Sequence, residues 1–460
     1  MTEAQKLAKF IHSRSFGDLS QKAVEKLKIR LLDAIGCAIG ALDGPPIKAI
    51  KAQIDDFGGT PLASLIGGGK TAPDRAAFYN SALVRYLDFN DSYLAKNETC
   101  HPSDNIGSIL AAAQFAQKNG KDFLTALAIA YQVQCRLSDV APIRDKGFDH
   151  TVHGAYSVAA GVSYALGSDE EKTANAIAIA GTAYNALRVT RTGNLSNWKG
   201  LAFPSAGWTS THAAFLAMKG ITGPEEVFEG NKGFKESIAG NFQIDWSKED
   251  LEMVRKTITK KFNAEIHSQS ALEGVQDLFR KHCFDASRIK LIVLEIFKVA
   301  YNIIGGGEEG SKKNIQTKEE ADHSLPYMIA VLILDGDVLP AQYLPDRIGR
   351  KDVQELLQKV VVKEKIEYSD RFPQEMACKI SVIFDNDTKL QIEKKDYEGF
   401  GTRPASWNLI TEKFYNLTSP CIDKLLSSDI IDMIRNIEHH QVTELMELLE
   451  KSASFSSRND

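Results

Sequence analysis

The feature that most constrains this chain is a long succession of alanine- and glycine-rich helical patterns in its first 260 or so residues. In residues 20–42, apolar side chains recur at helical spacing, and Gly44-Pro45-Pro46 then ends the pattern. The same periodicity returns in residues 74–87, 103–119 and 121–140. Because alanine favours helix and small side chains let helices approach closely, these segments predict a tightly packed helical domain.

Two later segments of this region, residues 157–167 and 173–186, are apolar almost all round and predict buried central helices. Ser168 stands three residues before Glu171, the spacing of a capping box. We therefore expect a helix that begins after Ser168 and runs toward Leu187.

The pattern changes after about residue 260, where short β-branched segments alternate with helical ones. Strands are predicted at residues 289–296, 360–366 and 379–384, a hairpin turn at Asn386-Asp387, and helices at 319–334 and 352–357. Residues 406–451 are helical again. The predicted fold class is therefore mainly α: a large all-helical domain, residues 1–262 and 403–460, with an inserted smaller α/β domain, residues 263–402.

The composition and the charge of the chain indicate which partners it can bind and in which compartment it is expected. Hydrophobic residues make up 43% and charged residues 25%, as in ordinary globular proteins. The net charge is -5, so nothing global predicts nucleic-acid binding, and an anionic ligand needs locally gathered cations. No apolar run reaches about 20 residues, and residues 1–16 lack a signal-peptide pattern. The six cysteines are widely spaced and contain no Cys-x-x-Cys pair, which argues against a zinc or iron–sulfur site. The wide spacing also favours reduced thiols over disulfides, and therefore a cytoplasmic location.

Several motif-like segments do not carry their motif. Residues 64–71 end like a phosphate-binding loop, but Ser64 stands where the first glycine is required. Gly305–Gly310 spells G-x-G-x-x-G, but its two glutamates would repel phosphate and no apolar helix follows, which favours a loop. His150 and His153 have the i, i+3 spacing of a metal pair without the accompanying acidic motif, so no metal is predicted.

The polar cluster in residues 87–105 contains Asp88, Asp91, Ser92 and His101 at the junction of two predicted helices. Helix ends leave backbone donors free, and such junctions suit anion binding. The alternative is structural: the aspartates end one helix and Ser103 caps the next.

Three further stretches have a functional and a structural interpretation. Residues 188–200 carry two arginines and a lysine that can bind carboxylates, or form a solvated basic loop. Residues 259–269 lie at the domain junction, where ligand sites are common, or are an exposed linker. In residues 321–328, Pro326 marks either a kink within a helix or the first turn of a helix that Ser324 caps.

Taken in order, these stretches resemble one known family. Residues 87–105, 147–151, 191–200, 264–269 and 321–328 are similar to the MmgE/PrpD family, which includes 2-methylcitrate dehydratases and cis-aconitate decarboxylases. Within it, residues 198–200, 265–269 and 321–327 resemble the dehydratase branch more than the decarboxylases. The resemblance implies a helical domain built from both chain ends, a smaller α/β lid domain, a cleft between them, and a homodimer.

The resemblance also implies site residues. Carried over by position, Asp88, His101, His150 and Lys199 are the expected catalytic residues, and Ser92 and Tyr327 contact the substrate. A lysine at the domain junction is also expected to bind substrate, with Lys260 and Lys261 as competing candidates. A tricarboxylate needs several cations, which adds Arg188.

The expected reaction is the dehydration of 2-methylcitrate to 2-methylaconitate, a step of the methylcitrate cycle in propionate catabolism. One of His101 and His150 would remove the C–H proton and the other would protonate the leaving hydroxyl, with Asp88 orienting or sharing a proton. Because the sequence lacks clustered cysteines for an iron–sulfur cluster, we expect no cofactor. The alternatives are another tricarboxylate reaction on the same scaffold, such as cis-aconitate decarboxylation or citrate dehydration, and a non-catalytic scaffold whose polar clusters are dispersed caps and loops.

Overall fold

The computed structural model describes residues 1–193 and 195–452. Helix makes up 59% of the structure and strand 9%, which confirms the predicted mainly α fold with a small α/β part. The described residues form two compact units. Within the described residues, the first comprises residues 1–190, 198–257 and 406–452, and the second residues 191–193, 195–197 and 258–405. Asn194, in the basic stretch of residues 188–200, lies outside the described residues.

The helices of the described residues are, in chain order, α1 (Glu3–His12), α2 (Gln21–Gly40), α3 (Pro45–Phe57), α4 (Pro73–Tyr86), α5 (Ile106–Phe115), α6 (Gly120–Val140), α7 (Thr151–Leu166), α8 (Glu170–Ala183), α9 (Trp198–Met218), α10 (Gln269–His282), α11 (Lys298–Ala300), α12 (Lys318–Ala321), α13 (Leu325–Asp335), α14 (Pro345–Ile348), α15 (Lys351–Gln358), α16 (Ile366–Ser369), α17 (Trp407–Thr418), α18 (Lys424–Arg435) and α19 (Val442–Glu450). The strands are β1 (Ala63–Ser64), β2 (Lys70–Thr71), β3 (Tyr93–Leu94), β4 (Thr99–Cys100), β5 (Ile289–Ile296), β6 (Val360–Glu364), β7 (Cys378–Phe384) and β8 (Lys389–Lys394). Among these helices, none combines the length and the apolar character needed to span a bilayer.

Small side chains bring the helices of the first unit close together. Helix α4 packs on α5 and α9, α7 packs on α6 and α9, and α17 returns to α2. A Cβ atom added at Gly107 in α5 would lie 2.3 Å from the backbone nitrogen of Ser81 in α4. Helix α7 is buried along nearly its whole length, as its all-round apolar pattern predicts.

The first unit departs from the predicted pattern in four places. Helix α8 ends at Ala183 and is only partly buried, so the prediction of a buried central helix over residues 173–186 is wrong. Two short antiparallel pairs, β1–β2 and β3–β4, interrupt the helices, so the unit is not all-helical. Helix α8 is capped by Asp169, whose side chain accepts from the Lys172 amide, rather than by Ser168. The segment expected to begin a helix at Ser103 is first a 3₁₀ turn, Pro102–Asn105, and α5 begins after it.

The second unit is built on a four-stranded sheet in the order β6-β5-β7-β8. Strand β5 runs parallel to β6 and antiparallel to β7, and β7 and β8 form the hairpin predicted at Asn386-Asp387. Helix α10 packs on β7 and β8, and α13 packs on α15 and β6. The helix predicted for residues 319–334 is broken into α12 and α13, because Ser324 caps α13 and Pro326 occupies its first turn.

One buried carboxylate joins the two ends of the second unit. Glu273 of α10 lies 2.9 Å from Lys261 Nζ near the start of the unit and 2.8 Å from Arg403 Nη1 near its end. Lys394 of β8 adds a third cation at 2.9 Å. Although burial opposes it, hydrogen bonds from these cations lower the pKa of Glu273 to about 2.

Candidate functional site

The loop that follows α4, residues 87–92, carries Asp88 in a left-handed backbone conformation with φ of 53°. A residue other than glycine keeps this conformation only where its surroundings fix it. Arg85, one helical turn before, donates a hydrogen bond of 2.6 Å from Nη1 to Asp88 Oδ1. Lys199 Nζ lies 3.3 Å from the other carboxylate oxygen. The Asp88 carboxylate is therefore held between two buried cations.

Lys199 occupies the first turn of α9 and is buried. A cation at the N-terminal end of a helix is opposed by the helix dipole and by the loss of hydration, so it needs a nearby anion. Asp88 is that anion in this structure. The same end of the helix, with its free backbone donors, favours negatively charged ligands.

Asp91, near the end of the same loop, is fully buried, and its hydrogen bonds hold this part of the loop in place. Asp91 Oδ1 accepts from the Ser103 amide at 3.0 Å and from its hydroxyl at 2.7 Å, and Oδ2 accepts from Tyr131 at 2.8 Å. Burial raises the pKa of Asp91, while the positive charge of Arg30 opposes the rise. Ser103 is not a simple helix cap, because its hydroxyl donates to Asp91 and its oxygen accepts from the Asn90 side chain at 2.8 Å.

His101 is oriented by this loop. Its Nδ1 lies 2.8 Å from the Asp91 carbonyl oxygen and 3.1 Å from the Ser92 hydroxyl. A carbonyl oxygen only accepts hydrogen bonds, so Nδ1 carries a proton. In the neutral ring the lone pair is then on Nε2, the form in which a histidine acts as a base through that atom.

His150 lies beside His101, with ring centroids 5.6 Å apart and ring planes at 68°. It precedes α7, and its Nδ1 lies 3.5 Å from Asp149 Oδ1. A neighbouring carboxylate stabilises the protonated imidazole, the form that donates a proton. His153, its i+3 neighbour, instead donates through Nε2 to the Ala141 carbonyl at 2.9 Å, and burial lowers its pKa to about 4.

Arg188 lies at the start of a 3₁₀ turn, Arg188–Arg191, after the segment that pairs with Phe148. Its backbone amide donates to the Gly147 carbonyl at 2.9 Å. Burial raises the pKa of Glu98, and the charge of Arg188 is among the groups that oppose this rise. Arg188 is thus placed next to the loop that leads into His150, with Glu98 as a nearby anion.

The two candidate lysines of the second unit have different surroundings. Lys261 is paired with Glu273 at 2.9 Å and with Glu398 at 3.7 Å. Lys260 is 1% exposed, and its charge is one of the influences that lower the pKa of Glu265. The third expected residue of this unit, Tyr327, is buried and donates its hydroxyl proton to the Gln342 carbonyl.

Near Lys260, Glu265 and His267 form a buried carboxylate–imidazole pair. Glu265 Oε1 lies 2.7 Å from His267 Nδ1, and Oε2 accepts from the His267 amide at 2.7 Å. Burial would raise the pKa of Glu265, but His267 is the largest influence that lowers it, to about 2. His323, from residues 321–328, adds to this lowering.

The structure thus brings Asp88 and Lys199 into contact, and likewise Ser92 with His101 and His101 with His150. Sequence reasoning missed several supporting residues. Arg85 had only the signal of its position three residues before Asp88, which lies just beyond the end of α4. Asp149 had the weaker signal of adjacency to His150. For the contacts that connect distant parts of the chain, no local pattern was available.

Comparison with known proteins covers most of the chain. The profile of the MmgE/PrpD N-terminal domain matches residues 5–247, and that of the MmgE/PrpD C-terminal domain matches residues 262–439. The 2-methylcitrate dehydratase of Escherichia coli (strain K12) is 28% identical over 81% of this chain and 80% of its own length. The protein of the same name from Salmonella typhi is 28% identical over 75% of this chain and 74% of its own length. Human cis-aconitate decarboxylase is 25% identical over 98% of this chain and 95% of its own length.

Proposed function

The chain belongs to the MmgE/PrpD family, and from this premise we propose that it is a lyase that dehydrates 2-methylcitrate to 2-methylaconitate without a cofactor. The observation that carries the proposal is the pair of imidazoles, His101 and His150, whose rings lie 5.6 Å apart. The dehydratase relatives support the choice of reaction. A non-catalytic scaffold would leave the four expected catalytic side chains dispersed; the contacts within two pairs of them, Asp88 with Lys199 and His101 with His150, weigh against it.

In the proposed reaction His101 is the base. Its Nδ1 proton is directed at the Asp91 carbonyl, which leaves Nε2 to accept the C–H proton next to a substrate carboxylate. The electron pair of the broken C–H bond forms the double bond as the hydroxyl group leaves from the adjacent carbon.

His150 is the proposed acid. Asp149 favours its protonated form, and the proton passes to the leaving hydroxyl, which departs as water. Two rings at this separation are close enough to serve adjacent carbons of one small molecule. The assignment of base and acid follows from what each Nδ1 faces: a carbonyl for His101 and a carboxylate for His150.

Cations complete the proposal. Lys199 binds a substrate carboxylate and stabilises the negative charge that develops when the proton leaves, while Asp88 fixes its ammonium group. In the second unit Lys260 and Lys261 both stay candidates for binding substrate: Lys261 is paired with Glu273, and the charge of Lys260 acts on Glu265.

Decarboxylation of cis-aconitate is the second candidate. The observation in its favour is the near-complete coverage of this chain by human cis-aconitate decarboxylase. The same residues would serve it, since Lys199 can bind a carboxylate and a histidine can protonate the carbanion left after CO₂ departs.

The test is a substrate comparison with purified, chelator-treated protein. The protein is incubated separately with 2-methylcitrate, citrate and cis-aconitate, and products are followed by NMR and by absorbance of the new double bond. We expect an alkene from 2-methylcitrate. Release of CO₂ from cis-aconitate, without an alkene from 2-methylcitrate, would establish the second candidate instead. Activity lost with the chelator and restored by a metal would contradict the cofactor-free reaction.

The homodimer and the cytoplasmic location implied by the sequence stay predictions. Sedimentation equilibrium at several protein concentrations measures the first, with an expected mass of twice 50.7 kDa. Fractionation of the source cells with an antibody against the chain measures the second.

A further inference from the structure

A buried lysine from the C-terminal part of the first unit holds the loop that carries Asp88. Lys413 of α17 is 7% exposed, and its Nζ donates to the Phe89 carbonyl oxygen at 2.6 Å. The same Nζ lies 2.6 Å from Asp33 Oδ1 of α2 and 3.6 Å from the centroid of the Phe89 ring. A buried ammonium group is tolerated only when it is paired and hydrogen-bonded, and here a carboxylate, a carbonyl and an aromatic face meet it.

The carbonyl that Lys413 binds belongs to the residue directly after Asp88. It is part of the peptide group between Phe89 and Asn90, in the middle of the residue 87–92 loop. Asp88, one residue before, has φ of 53°, a conformation that a residue other than glycine keeps only where its surroundings fix it. Arg85 fixes the side chain of Asp88, and Asp91 fixes the far end of the loop. Lys413 fixes the backbone between them.

We propose that Lys413 is a positioning residue that keeps residues 88–92 in the geometry required for turnover, acting through the Phe89 carbonyl. This inference rests on the proposed function, since it assigns Lys413 to the reaction of Asp88, Lys199 and His101. Loss of the contact frees the Phe89–Asn90 peptide group, and the resulting change in the loop displaces the Asp88 carboxylate from Lys199. A displacement of about 1 Å at a catalytic group can lower the rate by about 10²-fold.

Lys28 provides a matched control. It is 6% exposed, its Nζ donates to the Arg435 carbonyl at 2.7 Å, and it lies 2.6 Å from Glu438 Oε1. Like Lys413, it is a buried lysine whose Nζ meets one carbonyl and one carboxylate, and it takes part in a contact between α2 and the C-terminal part of the first unit. Its carbonyl partner is in α18, away from the residue 87–92 loop. If Lys413 had a purely structural role, replacing either lysine together with its carboxylate partner should change kcat to the same extent.

The experiment compares Asp33→Leu/Lys413→Met with Lys28→Met/Glu438→Leu. Replacing both partners of a buried ion pair by apolar residues is often tolerated, so both double variants are expected to fold. We expect kcat of the Lys413 variant to fall by about 10- to 100-fold with little change in KM, and kcat of the Lys28 variant to stay near that of the parent. Asp33→Asn, which keeps the bond from Lys413 to the Phe89 carbonyl, should retain kcat.

Hydrogen–deuterium exchange supplies a readout that does not depend on turnover. Backbone amides of residues 88–92 should exchange faster in the Lys413 variant than in the parent. In the Lys28 variant their exchange rate should equal that of the parent. Equal kcat for the two double variants, or unaltered exchange of this loop, would overturn the proposal. If the parent protein turns over none of the three acids, the proposed function fails, while the exchange comparison still decides whether Lys413 holds the loop. Lys413→Met alone is the second variant if the double variant does not fold.

Discussion

Lys199 Nζ lies 3.3 Å from Asp88 Oδ2, with both side chains buried in the first unit. The pair joins the start of α9 to the loop after α4, and Arg85 holds the other oxygen of the same carboxylate. Arg85 also lies 3.5 Å from the buried carboxylate of Asp104, so two anions and two cations are gathered at this position. An anionic substrate needs locally gathered cations such as these in a chain whose net charge is -5.

Asp88→Asn should therefore impair both stability and turnover. Removing the carboxylate leaves buried cations without their main partner, which costs about 3 kcal/mol in the free energy of unfolding. Lys199 also loses its orientation, so kcat/KM should fall by about 10²-fold or more. Urea unfolding and steady-state kinetics measure the two effects. The control is Glu236→Gln, in the exposed pair with Lys232, which should change neither the free energy of unfolding nor kcat/KM. Normal turnover by Asp88→Asn would contradict the role of Asp88 in orienting Lys199.

Exchange of the substrate C–H proton with deuterated water separates the two histidines. A variant that lacks the acid still removes and returns the C–H proton, whereas a variant that lacks the base does not. We expect His150→Ala to lose net dehydration but retain exchange, and His101→Ala to lose both. NMR of recovered substrate measures the exchange. Exchange retained by His101→Ala and lost by His150→Ala would reverse the assignment, and near-normal turnover by both variants would refute it.

The fold was predictable where one face of an element is apolar over its whole length. Strand β5 lies at the predicted residues, and α2 and α6 begin and end within about two residues of the pattern. The 3₁₀ turn at Pro102–Asn105 was not predictable, because Ser103 is held by the side chain of Asp91. Such a tertiary hydrogen bond overrides the local preference of serine for a helix cap.

The candidate site was predictable to the same extent. Ser92 and His101 are near one another in the sequence, and a polar cluster between apolar helices draws attention to both. The bond from Lys413 to Phe89 joins residues 324 positions apart, and neither residue carries a local signal. Lys260 and Lys261 look equivalent in the sequence, but the fold gives them different neighbours: Glu273 on α10 pairs with Lys261, and Lys260 acts on Glu265.

Asp104 should make the stability of the first unit depend on pH. Burial raises the pKa of its carboxyl from 3.8 to about 7, although Arg85 and a hydrogen bond from Asn90 oppose the rise. Because the folded state holds the proton more tightly than the unfolded state, this group's contribution to stability falls as pH rises from about 4 to about 7. Asp104→Asn, which cannot ionise, should gain a few kcal/mol relative to the parent over this range.

Urea unfolding of the parent and of Asp104→Asn at several pH values between 4.5 and 8 measures this difference. The exposed Asp429→Asn is the control and should leave the free energy of unfolding nearly unchanged. A difference between the parent and Asp104→Asn that stays constant across the pH range would contradict a raised pKa for this carboxyl.

Glu273 should stabilise the second unit in the opposite pH sense. Its pKa is lowered to about 2, so its contribution is complete above its ordinary pKa of 4.5 and is lost as pH falls toward 2. Glu273→Gln should cost about 1.5–3 kcal/mol at pH 7, and the difference from the parent should shrink at pH 3. Glu398→Gln, which removes a more exposed and more distant partner of Lys261, should cost less. Equal losses for the two variants would contradict the central place of Glu273.

The close contact of α5 with α4 predicts that Gly107 cannot be enlarged. The Cβ of an alanine there would lie 2.3 Å from the Ser81 nitrogen and 2.6 Å from the Asn80 carbonyl carbon, so the two helices must separate. We expect Gly107→Ala to lower the free energy of unfolding by about 1–3 kcal/mol. Gly200→Ala is the matched helical control: it meets nothing within 4 Å and should stabilise α9 by up to about 1 kcal/mol. Because the intrinsic helix preference favours alanine at both positions, opposite signs in urea unfolding would isolate the packing contribution, and a stabilising Gly107→Ala would contradict it.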